Sequence, residues 1–79
     1  MKDEENKLRE IIALNIRVER RRKQLTQEEL AEMADISVKH VTKIENAHVT
    51  PSIYFMKRIA DALDVTIDEL VTEFKRVKS

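Results

Sequence analysis

Seventy-nine residues, 42% of them hydrophobic, allow one modest core, and with two Phe, one Tyr and no Trp it must be filled by aliphatic side chains. The absence of Cys excludes disulfides and thiolate metal sites, and the longest apolar run, residues 11–14, is far short of the roughly 20 residues that cross a bilayer. Fifteen basic and 15 acidic residues cancel, which argues against a partner held by bulk electrostatics alone; a soluble, cytoplasmic chain forming one domain over 1–79, with no membrane partner, is expected.

Glycine is absent and Pro51 is the only proline, so boundaries have to be read from caps and periodicity. A first helix is predicted over about 4–23, with Leu8, Ile12 and Ile16 at i, i+4 spacing and Ile11 beside them as the inward stripe. Its far end carries Arg17, Arg20, Arg21, Arg22 and Lys23, which suits the helix dipole. The following segment is acidic, with Glu28, Glu29, Glu32 and Asp35.

Thr26 and Glu29 form a capping-box pattern that starts a second, short helix at Gln27, with Leu30, Ala31 and Ala34 facing inward. Asp35 stands where a left-handed turn residue is needed. Ser37 then caps a third helix over 38–46, anchored by Val41 and Ile44. After a loop over 47–51, Ser52 caps a fourth helix whose Ile53, Phe55, Met56, Ile59, Ala60 and Leu63 are expected to close the core, and Asp64 turns the chain. Thr66 and Glu69 repeat the capping box ahead of a fifth helix with Leu70, Val71, Phe74 and Val77. The predicted fold is all-α, five helices, with the core over 8–71 and 72–79 extending the last helix.

Two short helices joined by a turn of about three residues, the second polar on its free side, form the geometry that lays a helix in the major groove of DNA. Val38, Lys39, Thr42, Lys43 and Asn46 lie opposite Val41 and Ile44 and are available to such a groove. Lys39 and Lys43 can donate to guanine O6 or N7, a contact worth roughly 1–3 kcal/mol of discrimination when bidentate, or can only neutralise phosphates; Val38 suits a thymine methyl. Arg21, Arg22 and Lys23 either reach flanking phosphates or form a solvated helix end. His40 and His48 straddle a helix end with no third ligand indicated, so no metal or other cofactor is expected.

Residues 12–71 resemble the lambda repressor and Cro type of helix-turn-helix regulator, the xenobiotic response element family. The stretches that carry the likeness are LTQEELAEMADIS at 25–37, VTKIEN at 41–46 and PSIYFMKRIADALDVTIDEL at 51–70. Gln24, Asp35, Ala47 and Asp64 depart from the pattern, standing where such proteins often place glycine. The resemblance implies a five-helix lambda-repressor-like fold with the second and third helices as the helix-turn-helix, double-stranded DNA as the partner, and no enzymatic activity. It implies phosphate contacts for Gln27, Ser37, His40 and Asn46, joined by Arg21 from the basic helix end. It also implies an ion pair between Arg20 and Glu45 that fixes the recognition helix to the first helix.

The expected function is sequence-specific transcriptional regulation, as a homodimeric repressor on a palindromic operator, with recognition helices about 34–36 Å apart. Leu70, Val71, Phe74 and Val77 form the expected dimer face. The rival reading is a protein interaction module, or an antitoxin-like partner protein, that keeps the fold; zero net charge favours it, and the polar set of Gln27, Lys39, Lys43 and Asn46 opposes it.

Overall fold

A computed structural model describes residues 2–73. Five helices follow in order: α1 (Lys2–Arg22), α2 (Gln27–Ala34), α3 (Val38–Glu45), α4 (Ile53–Leu63) and α5 (Ile67–Val71). Each of the four after α1 begins at a hydroxyl cap in extended backbone. Thr26, Ser37, Ser52 and Thr66 accept from the N–H three residues on, and Glu29 and Glu69 return the bond to Thr26 and Thr66, completing two capping boxes.

Four helix ends share a second device. Gln24, Asp35, Ala47 and Asp64 all have φ between 57° and 60°. After each, the next residue's N–H reaches back to the carbonyl five earlier: Leu25 to Arg20, Ile36 to Ala31, His48 to Lys43 and Val65 to Ala60, at 2.9–3.0 Å. These are Schellman ends built without glycine, which costs roughly 1 kcal/mol or more wherever no side-chain bond compensates. Leu25, Ile36 and Val65, the residues that follow three of these turns, pack on the core and offset part of that cost.

The core joins Ile12 and Ile16 of α1, Leu30, Ala31 and Ala34 of α2, Val41 and Ile44 of α3, Met56, Ile59, Ala60 and Leu63 of α4, and Leu70 of α5. α1 packs on α3 and α5, α2 on α3 and α4, and α4 on α5. This leaves α2 and α3 braced from both sides, with the outer face of α3 open.

Several expectations need correcting. Leu8 is exposed along with the rest of residues 3–8, and Ile11 is only half-buried, so the buried stripe of α1 begins at Ile12 and takes in Ala13 and Ile16. Ile53 is 70% exposed: it is the first helical residue after the Ser52 cap, and the inward face of α4 starts only at Met56. Leu70 is fully buried within one chain and has no surface to give a dimer partner, while Val71 is half-buried. The described α5 ends at Val71, with Thr72 extended, so the helix does not continue through 72. Phe74 and Val77 lie outside the described residues. The N-terminal residues extend α1 from Lys2, and Arg9 donates from Nε to Thr50 Oγ1 at 2.8 Å, tying α1 to the loop after α3.

Candidate nucleic-acid interface

α3 is held from behind by one polar cluster. Arg20 grips the Glu45 carboxylate with two bonds, Nε to Oε2 at 2.7 Å and Nη2 to Oε1 at 3.0 Å, and its Nη1 donates to the Leu25 carbonyl at 2.8 Å. Glu45 is 1% exposed, the only buried charged residue among those described, and the forked guanidinium is what makes its burial tolerable. Arg17 donates to the Glu45 carbonyl at 3.0 Å, placing a cation at the C-terminus of α3 where the helix dipole is negative. One side of α1 therefore holds both the side chain and the backbone of the last residue of α3.

Gln27 completes the cluster from α2. Its Nε2 donates to Glu45 Oε1 at 2.9 Å, and its Oε1 accepts from the Thr42 hydroxyl at 3.0 Å. The amide can face only this way, since a carboxylate accepts and never donates. One Nε2 hydrogen is left over, at the N-terminus of α2. Thr42 lies part-buried, and its proton is shared between Gln27 and the Val38 carbonyl, also at 3.0 Å. Thr42, expected to read bases, thus turns its hydroxyl to the scaffold.

The turn between α2 and α3 is fixed from α4. Arg58 Nη1 donates to the Asp35 carbonyl at 2.7 Å and to its carboxylate at 3.3 Å, and Nη2 bonds the Tyr54 hydroxyl. The same guanidinium lies over the Tyr54 ring, 4.5 Å from its centroid. A left-handed aspartate that also receives an arginine is better supported than its φ alone suggests.

On the outward side, Val38, Lys39 and Lys43 are exposed, and neither lysine is engaged by a carboxylate among the described residues. Asn46 caps the C-terminus of α3 and is exposed, as is Arg21. Ser37 accepts from the His40 N–H at 3.1 Å, which leaves its hydroxyl proton for another acceptor. His40 corrects an expectation. Its ring packs on Phe55 of α4, centroids 4.6 Å apart, and Nε2 is buried without a protein hydrogen bond, so the imidazole covers an aromatic ring and does not present that nitrogen to a phosphate.

Two short helices locked at a three-residue turn, with a basic outer face on the second, are the recognition geometry of helix-turn-helix proteins. Residues 16–70 match the helix-turn-helix family. The chain belongs to that family. A hypothetical transcription factor from Neisseria superposes with a TM-score of 0.82 at 29% identity, over 87% of this chain and 79% of that one. The restriction-modification controller protein C.AhdI from Aeromonas hydrophila superposes with a TM-score of 0.76 at 27% identity, over 78% of this chain and 94% of that one. No curated protein matches the chain. The helix-turn-helix assignment and the regulators it resembles support a DNA-binding regulator, and no helix among the described residues is long and apolar enough to cross a membrane.

Sequence reasoning missed two supports of this helix-turn-helix, Arg17 and Arg58, and a third tie elsewhere in the fold, Asn15, whose Nδ2 joins α1 to the end of α5 through the carbonyls of Leu70 and Thr72, each at 2.9 Å. All three bond backbone carbonyls distant in sequence. Only the polarity of Asn15 on an otherwise apolar stretch of α1 hinted at such a role.

Proposed function

We propose that this chain is a sequence-specific double-stranded DNA-binding transcriptional regulator, a homodimeric repressor of a palindromic operator, with α3 in the major groove. The observation that carries this reading is the division of α3 into a back fixed by Arg17, Arg20 and Gln27 and a front of exposed donors, Lys39 and Lys43, that no carboxylate among the described residues engages. Pre-set orientation lowers the ordering cost of binding, and free donors are what base edges accept.

In this reading Lys39, Lys43 and Val38 meet bases. The hydroxyl of Ser37, the free Nε2 hydrogen of Gln27, Asn46 and Arg21 meet phosphates. Exposed Glu28, Glu29 and Glu32 on α2 repel DNA wherever that helix faces the backbone broadly, so only its N-terminus approaches. That repulsion lowers non-specific affinity relative to specific affinity.

Selection of duplexes from a random pool, then titration of the winner against scrambled DNA at two salt concentrations, tests it. A palindromic winner bound about 10³-fold more tightly than scrambled DNA is the expected result. No enrichment, with weak and salt-sensitive binding only, refutes it and favours a protein interaction module.

A further inference from the structure

The outward residues of α3 fall into two rows. Val38 and Thr42 stand four residues apart in one, and Lys39 and Lys43 four apart in the next, one step further round the helix. The first row is the one nearer α2, because the Thr42 hydroxyl bonds Gln27, the residue that starts that helix. Neither row is covered: Val38 is 42% exposed, Thr42 partly so, and both lysines are exposed.

The two rows differ in what they present to a base edge. Each lysine carries ammonium donors. Thr42 has one hydroxyl proton, and its two partners, Gln27 Oε1 and the Val38 carbonyl, are acceptors at 3.0 Å. That proton stays within the protein, and the oxygen carrying it is turned to the scaffold. The branched Cβ has a second substituent, the methyl, and fixing the oxygen fixes the methyl with it. With Val38 one turn ahead, the row nearer α2 presents hydrocarbon and no donor.

In the major groove the hydrocarbon group on the edge of an unmodified base pair is the C5-methyl of thymine. Cβ atoms four apart on a helix lie about 5–6 Å from each other, and bases of one strand rise about 3.4 Å per step, so two such methyls are within reach one or two steps apart.

We infer that Val38 and Thr42 read the C5-methyl groups of two thymines in each half-site, on the side of the recognition helix nearer α2, with the groups met by Lys39 and Lys43 lying beyond them. Thr42 then performs two tasks with one side chain: its hydroxyl holds α3 to Gln27, and its methyl selects a base. This deepens the function proposed above and rests on it, naming the chemical feature that one side of α3 recognises.

The test uses the duplex obtained by selection, remade with uracil in place of each thymine of one half-site in turn, which removes a methyl and keeps every hydrogen-bonding group. Against the wild type, two positions are expected to lose about 4-fold in affinity each, as for one methyl group taken out of contact. Thr42→Ser keeps the hydroxyl and its two bonds and lacks only the methyl, so one of these penalties is expected to vanish with it. Val38→Ala is expected to abolish the other. Both variants should melt close to the wild type, since one keeps its bonds and the other changes an exposed site. Uracil duplexes that bind the wild type as tightly as the thymine duplex, or penalties that persist unchanged in Thr42→Ser, overturn this inference and leave the regulator reading standing. A random pool that yields no preferred duplex removes both.

Discussion

Arg20 and Glu45, 25 positions apart, form a forked ion pair in which the carboxylate is buried and the guanidinium nearly so. The pair joins the first helix to the last residue of the recognition helix. Removing one partner strands the other charge out of water, so Glu45→Ala is expected to cost about 3–5 kcal/mol in urea unfolding. Replacing both residues with apolar side chains of similar volume should recover most of that loss. A Glu45→Ala chain as stable as the wild type would show that the pair does not anchor α3.

Lys43 makes the complementary case, because it is exposed on the front of α3. Lys43→Ala should leave stability within about 0.5 kcal/mol while weakening binding to the selected duplex by roughly 1–3 kcal/mol. If binding to scrambled DNA falls by the same factor, Lys43 touches phosphate and not a base.

Ala47 holds φ at 60° with no side-chain bond to support it, unlike Asp35. Ala47→Gly should therefore raise stability by about 1 kcal/mol, a rise of roughly 4–8 °C in melting temperature for a chain of this size. Calorimetry of the two proteins decides it, and a lower melting temperature for the variant would contradict the strain argument.

The environment of the Glu69 carboxyl sets a clear direction. The Thr66 N–H, then the Thr66 hydroxyl, hold it below its ordinary value of 4.5; slight burial opposes this and the Arg22 charge adds to it. A carboxyl depressed in the folded state stabilises above the unfolded value and loses that stabilisation as pH falls through the folded one. Melting temperatures recorded downward from pH 4.5 should therefore fall less steeply for Glu69→Gln than for the wild type. Superimposable curves would remove Glu69 from the acid response.

What the sequence made legible was local. A hydroxyl followed three residues later by an acid announces a helix start whatever surrounds it, and Thr26 with Glu29 and Thr66 with Glu69 both do so. Gln24, Asp35, Ala47 and Asp64 could be picked out as glycine substitutes, and all four are left-handed. The bonds that depend on how helices meet were not legible. Nothing near Arg17 in the chain points to the Glu45 carbonyl, and His40 looks like a polar helix residue until Phe55 arrives from α4. Ile53 misled for a related reason: the cap sets which residue starts the helix, and the core sets which turn first faces inward.

The grip on α3 falls on the Glu45 side chain and carbonyl, on Thr42, and on the apolar pair Val41 and Ile44. None of these is Val38, Lys39 or Lys43. Those three side chains can therefore be exchanged as a set while the mount stays intact, so a change of target sequence needs no change of architecture. A library randomised at those three positions should keep its fold almost throughout and differ among members only in the DNA it retains.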